Sequence, residues 1–456
     1  MTYRRLLGEN ADFRRLWTGQ VVSEIGDWLN NIAVLALVIQ LAGAGHEGRA
    51  IALYAIARHL PLFLFGPVAG VIVDRVDRRR VMIAADITRA FLALGFLLAR
   101  SPATLPVIYL VGASLFSISA FFNVAKRAAI PNIVAGADQL LTANSLSSST
   151  TAATIAVGSA LGGIVATLVG RDVVFILNAV TFLISAEMIR RIRARTRRQQ
   201  QQGAEIEMLV DGRTESEGRA ASRGFDARRR GVIVNMVVEF REGLRYVRRN
   251  DLLTSIFIVA AGWGLGNGVA RALYSIFGAR LGETAVGGLL ARPTDFGNSV
   301  LYSAMGLGGV LGALVVRRFD AAAEGALASR MGRSIIFDGC SLVLFALMPG
   351  LWSAALVLIF REINYTLWKT AQQTIMMSRM DDLYGGRVFA SYETLTTLMM
   401  TGSMLASGVA ADLYGIKPVT ATGGLVIALS GLLWFALRHG KSAGARTSHS
   451  AEELSS

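Results

Sequence analysis

Long apolar blocks separated by short polar turns follow one another along almost the whole chain. A helix needs about 20 residues to cross a hydrocarbon core of about 30 Å, and blocks of that length recur about twelve times. They lie at 16–41, 51–73, 81–99, 103–124, 141–169 and 173–189, and again at 252–277, 299–316, 331–348, 352–376, 389–413 and 419–437. The pattern predicts an all-α membrane protein with 12 transmembrane helices. Between the two sets the chain turns polar, with Arg191, Arg193, Arg195, Arg197, Arg198 and the glutamines Gln199 to Gln202, a composition suited to a linker. A short segment ahead of the second set places Val237, Val238, Leu244 and Val247 against Arg241, Arg245, Arg248 and Arg249 at near-helical spacing, as in a helix lying on a membrane surface.

The expected organisation is an N-terminal six-helix bundle at 1–189, a cytoplasmic linker with an amphipathic helix at 190–250, a C-terminal six-helix bundle at 251–438, and a disordered cytoplasmic tail at 439–456. A weak internal repeat supports two related halves. Gly66 and Gly70 before Arg75 are echoed by Gly308 and Gly312 before Arg317, and Asp86 by Asp338.

Composition narrows the class. Of the 456 residues 53% are hydrophobic and only 17% charged, which excludes an ordinary soluble multidomain protein. The net charge of +14 does not indicate nucleic acid, because the basic residues sit in turns between apolar blocks, where they orient helices. Most of them fall on one side if the amino terminus is cytoplasmic, which puts both termini inside. The basic start runs straight into a helix-length block with no small-residue cleavage site, so the first span is expected to remain in the protein. A single cysteine, Cys340, and four scattered histidines exclude a disulfide framework and suggest no metal site. No glycine-rich phosphate loop with lysine occurs, no nucleophile or paired-carboxylate set stands out, and neither a cofactor nor an enzymatic activity is expected.

The turn from Asp74 to Arg80 joins two apolar blocks with almost no linker. With Gly66 and Gly70 a helical turn apart ahead of it, close helix contact in lipid is expected. Gly70, Asp74, Arg75, Arg78 and Arg79 match the shape Gly-x-x-x-Asp-Arg-x-x-Arg-Arg, which resembles the loop between helices 2 and 3 of the major facilitator superfamily. A narrower likeness comes from Asn123 to Val134 followed by Ala143-Asn144-Ser145-Leu146, with Gly26-Asp27-Trp28-Leu29, Gly158 to Gly163, Leu177 to Leu183 and Glu242 to Val247. These resemble the branch containing macrolide efflux pumps and enterobactin exporters. The resemblance implies two pseudo-symmetric six-helix bundles, a bacterial inner-membrane location, and export of an amphipathic small molecule by proton antiport and alternating access. It departs from the antiporter pattern at Gly158-Ser159, where Gly-Pro is frequent in the family.

Ionisable side chains inside the spans are Glu24, Asp27, Arg58, His59, Asp86, Arg89, Arg271, Asp338, Arg361, Glu362, Lys369 and Glu393. Facing lipid, a charge at mid-span costs about 2.5–3.5 kcal/mol, so these are expected to face an interior. Glu24 and Asp27 share a face of the first span. Asp27, about halfway along, is the first choice for proton carrier, with a permanent structural ion pair as the competing reading. Arg58, Arg361, Glu362 and Lys369 are expected to line a substrate cavity, Arg58 with an outer charge pair as its alternative. Asp74, Arg75, Arg78, Arg79, Asp86, Arg89 and Glu393, with Gly70, are expected to form a cytoplasmic gate. The partners are then a small-molecule substrate, protons and membrane lipid, with a monomer as the functional unit. An importer of a lipid or other solute, or a non-transporting membrane sensor, remains open as an alternative.

Overall fold

A computed structural model describes residues 2–73, 75–193, 232–316, 324–380 and 382–453. Asp74 and most of the expected linker lie outside the described residues. Among them there is no strand, and the order of helices is α1 Tyr3–Glu9, α2 Ala11–Ala42, α3 Glu47–Val73, α4 Arg78–Leu94, α5 Leu105–Ile133, α6 Gly136–Leu168, α7 Arg171–Arg190, α8 Val232–Arg248, α9 Asp251–Val286, α10 Pro293–Val316, α11 Glu324–Leu347, α12 Leu351–Arg379, α13 Asp382–Tyr414 and α14 Ile416–Glu453.

Side-chain caps set several of these boundaries. The Asn10 Oδ1 accepts from Phe13 N at 2.8 Å, and Asp77 Oδ1 accepts from Arg80 N at 3.1 Å. Asn250 Oδ1 takes Leu252 N and Leu253 N at 3.0 and 3.2 Å. Each satisfies an amide that the first helical turn leaves without an intrahelical acceptor. Most of the expected spans are extended outward; α9 runs to Val286 rather than stopping near 277. The last helix continues to Glu453, through much of the segment expected as a disordered tail.

Among the described residues nine helices are long and apolar enough to cross a membrane. They are α2 to α7, with α4 extended to Leu98, then α9, α10 and the first part of α14. The three remaining expected spans correspond to α11, α12 and α13, of 24, 29 and 33 residues. Their length suffices. Charges such as Asp338, Arg361, Glu362, Lys369 and Glu393 lower their hydropathy.

The helix contacts repeat. In the first set α2 packs on α6 and α7, α3 on α5, and α4 on α5 and α7; in the second α9 packs on α13 and α14, α10 on α12, and α11 on α12 and α14. The two sets meet through a reciprocal pair of contacts, α6 with α10 and α13 with α3. Two pseudo-symmetric bundles therefore face one another, the arrangement of the major facilitator fold. Their outer faces carry exposed Phe91, Leu110, Leu141, Leu168, Leu356 and Leu429, an apolar surface that suits lipid and not water.

Close approach between the sets depends on missing side chains. A Cβ on Gly163 would lie 2.1 Å from Ser299 Cβ, and one on Gly408 2.5 Å from both Ala52 Cβ and the Gly48 carbonyl oxygen. The expectation for Gly66 and Gly70 is corrected, since a Cβ on either would meet nothing within 4 Å. In the second half Gly308 and Gly312 do pack closely, against Ile359 and Thr366 of α12.

Candidate functional site

The polar stripe Gln20, Glu24, Asp27, Asn31 recurs on α2 at intervals of four, three and four residues, so these side chains share one helix face. That face lines a chamber of about 200 Å³ together with Tyr54 and Arg58 of α3, Arg89 of α4, Phe116, Ser119, Phe122, Asn123 and Lys126 of α5, and Thr151 of α6. A wider cavity of about 630 Å³ shares Gln20, Leu62, Asn123, Lys126 and Thr151 with it and extends past Arg127 and Ile130 toward the Arg78 end of the bundle. On the other side a small void of about 60 Å³ shares Trp28, Tyr54 and Arg58 and adds His59, Arg271, Tyr274, Tyr302, Met305 and Met404. The three form one series of spaces, the last of them between the two helix sets.

Glu24 is fully engaged. Its Oε1 accepts from Gln20 Nε2 at 2.8 Å and lies 3.6 Å from Lys126 Nζ, while Oε2 accepts from Thr154 Oγ1 at 3.1 Å and Thr151 Oγ1 at 3.4 Å. Asp27 differs: it lines the same chamber with neither a hydrogen bond nor an ion pair to any described residue. The permanent-pair reading of Asp27 does not hold in this conformation. Arg58 donates to Asn31 Oδ1, and its guanidinium lies 5.4 Å from the Trp28 ring centroid and 5.0 Å from that of Phe116. The outer charge pair weighed for Arg58 is absent among the described residues.

Asp86 and Arg89, expected in a gate, pair instead within the first bundle, with side chains 0% and 3% exposed. The Arg89 guanidinium is sandwiched between Phe122 and Phe182, 4.1 and 4.4 Å from their ring centroids. Arg78 donates to the Ala128 carbonyl oxygen at 2.6 Å, and Arg79 to that of Arg190, so both tie the start of α4 to neighbours in its own bundle. Glu393 does not join them: it lies 3.5 Å from Lys369 across α12 and α13. The expected gate residues are therefore split between the two bundles in this conformation. Asp74, which would complete the gate, lies outside the described residues, and Arg75 follows it in the turn before α4.

Arg361 is also corrected. It is 1% exposed, and its charge is consumed by a buried cluster, with Nε 3.0 Å from Asp338 Oδ1, Nη1 donating to Tyr274 OH at 2.7 Å and Nη2 to Asn267 Oδ1 at 3.1 Å. Trp263 Nε1 donates to Asp338 Oδ2 at 2.9 Å, and Glu362 Oε1 stands 3.3 Å from Arg361 Nη1. A fully desolvated arginine is tolerated only where a countercharge and hydrogen-bond acceptors surround it, as Asp338, Tyr274 and Asn267 do here. Each bundle thus buries one Asp–Arg pair, but Asp338 with Arg361 joins α11 to α12, whereas Asp86 with Arg89 pairs along α4 itself.

At the opposite end the two bundles are joined by residues that the sequence pattern did not single out. Arg171 at the start of α7 holds Asp295 at the start of α10, with Nη2 to Oδ2 at 2.8 Å and Nε to both oxygens at 3.1 Å. Asp412 of α13 accepts from the amides of Gly48 and Arg49 at 2.8 and 3.1 Å and from Arg49 Nε at 2.9 Å. Arg292 Nη1 donates to the Ala166 carbonyl oxygen at 2.9 Å. Deeper in, Trp28 and Tyr302 face each other with centroids 6.1 Å apart. In sequence these charges read as ordinary helix-end residues, since acids in a first turn and charged loop ends are common. Only their pairing across the two bundles gives them meaning.

Residues 8–213 match the family described as transmembrane secretion effector. The putative bacilysin exporter BacE of Bacillus subtilis (strain 168) is 26% identical over 394 residues, 85% of each chain. Macrolide efflux protein A of Streptococcus pyogenes is 21% identical over 409 residues, 89% of this chain and 90% of that one. Among solved structures, a mutant of the peptide transporter POT in complex with alafosfalin superposes with a TM-score of 0.64 at 12% identity, covering 94% of both chains. A POT family transporter in complex with 5-aminolevulinic acid gives 0.62 at 9% identity, over 94% of this chain and 96% of that one. At such identities the structures speak for the fold alone. The chain thus has the major facilitator fold along nearly its whole length, and it is similar in sequence to a secretion family over residues 8–213 and to exporters of that superfamily over most of its length.

Proposed function

We propose that the protein exports an amphipathic small molecule from a bacterial cell in exchange for protons, by alternating access. The observation that carries this reading is Asp27, a carboxylate with no bonded partner in the wall of a chamber deep within the bundle. A carboxylate so placed is free to take up a proton from one side and give it up to the other as access changes. The excess of basic residues in the turns at the Arg78 end supports a cytoplasmic placement of that end and of both termini. With that orientation the described conformation is the loading state of an exporter, wide toward the cytoplasm and tied shut outside by Arg171 with Asp295 and Arg49 with Asp412. In this scheme Asp27 carries the proton and Glu24 with Lys126 forms the inner wall of the chamber. Arg58 shapes the substrate site, Glu362 and Lys369 flank it from the second bundle, and Gly70, Asp74, Arg75, Arg78 and Arg79 meet the second bundle when the inner side closes. One chain supplies both bundles, so a monomer is a complete transporter.

The test is accumulation of a panel of macrolides, dyes and labelled siderophores in an efflux-deficient bacterial host. Wild type, but not Asp27→Asn, is expected to lower accumulation of at least one compound, and a protonophore is expected to abolish the difference. Raised accumulation would instead identify an importer, and export that survives both Asp27→Asn and the protonophore would overturn the proton coupling.

A further inference from the structure

Not every charge of the chamber sits in an ion pair. Lys126 is matched by Glu24 and Arg89 by Asp86. Two opposite charges are left over. Arg58 has a neutral amide, Asn31, and two aromatic rings for neighbours, with no carboxylate oxygen within 4.0 Å. Asp27 has no cation within the same distance. Both line one chamber of about 200 Å³, yet they do not bond to each other. In the same wall Asn30 Oδ1 and Asn31 Nδ2 are buried and have no hydrogen-bond partner. An uncompensated charge or amide in such a place costs free energy unless something enters to meet it.

We infer that this chamber selects a zwitterion: a small molecule with a protonated amine for Asp27, a carboxylate for Arg58, and an apolar body for the surface of Trp28, Phe116 and Leu62. The inference rests on the export reading and gives it a substrate class. Asp27 and Asn31, which holds Arg58, are one turn apart on α2, a rise of about 6 Å. A ligand whose two charges are several bonds apart reaches both. A monocation would satisfy Asp27 and be repelled by Arg58, an anion would do the reverse, and a neutral amphiphile would bury both charges unmatched. The aromatic neighbours of Arg58 leave the guanidinium edge available, because they occupy its face and not its donors.

The test uses the full chain purified into lipid nanodiscs and four probes: alanyl-phenylalanine, its N-acetyl derivative, its methyl ester, and the doubly capped neutral form. The zwitterion is expected to bind, and removing either charge to weaken binding about tenfold or more. Asp27→Asn is expected to remove the penalty of acetylation only, and Arg58→Gln the penalty of esterification only. Arg58→Lys, which keeps the charge, is expected to restore part of the latter and so separate recognition from misfolding. Equal binding of the doubly capped form, a preference for the monocationic ester, or binding of none of the four would overturn the proposal. The same protein in vesicles with a pH gradient separates the two levels: Asp27-dependent movement of the monocationic dye ethidium, without zwitterion binding, would sink the substrate class and leave proton-coupled export standing. Zwitterion binding without any proton-coupled flux would uphold the site and sink the export reading.

Discussion

Arg171 and Asp295, 124 positions apart and on different bundles, form a bidentate ion pair in which the carboxylate is fully buried and the guanidinium 12% exposed. Removing one member leaves the other charge desolvated and unmatched, which costs about 3–5 kcal/mol in buried pairs. Asp295→Asn is expected to lower the melting temperature in detergent and to raise labelling of a cysteine placed at Tyr302 by a membrane-impermeant reagent applied from outside. Arg171→Gln with Asp295→Asn should recover much of the loss, and additive losses in the double variant would refute the pairing as a lock.

Asp27 gives the opposite expectation, because it makes no bond that Asn would lose. Asp27→Asn should keep the melting temperature within the range of a neutral substitution, about 0.5 kcal/mol, while proton-coupled flux disappears. Loss of the folded protein on this change would argue that the residue is structural after all.

Within the second bundle Asp338→Asn should be severe. It strips the nearer countercharge from Arg361, whose donors otherwise reach Tyr274, Asn267 and Glu362 among the described residues. A loss of about 3–5 kcal/mol is expected, read as reduced monodisperse protein after heating. Full stability with altered substrate preference would instead return Arg361 to the cavity wall.

Glycine substitutions distinguish the closed end from the parted one. Gly408→Ala would drive a methyl group to 2.5 Å from Ala52 Cβ and is expected to destabilise by about 1–3 kcal/mol. Gly66→Ala and Gly70→Ala meet open space here and should leave melting unchanged. If the inner side closes over these glycines, transport should fall in both variants although stability does not; unimpaired flux would show that α3 is not approached there in the other state.

Apolar blocks of bilayer length determined the membrane class and the helices, because in lipid every backbone amide must be satisfied within its own segment. Periodicity on single helices was equally legible, which is why the shared face of Glu24 and Asp27 and the i,i+3 spacing of Asp86 and Arg89 follow from the sequence, while Gln20 and Asn31 join that face only in the structure. The repeated aspartate, Asp86 and Asp338, foreshadowed the internal symmetry. What the chain order left undecided is which charge meets which across helices. Asp338 with Arg361, Arg171 with Asp295, and Asp412 with the start of α3 join positions far apart in sequence, and no local pattern distinguishes them from ordinary helix-end or intramembrane charges. The tertiary structure moved Arg361 from cavity to core, separated Glu393 from Asp86, and left Asp27 and Arg58 unmatched. A charge counts as structural or available according to its neighbours in space, and in a bundle those neighbours come from other helices.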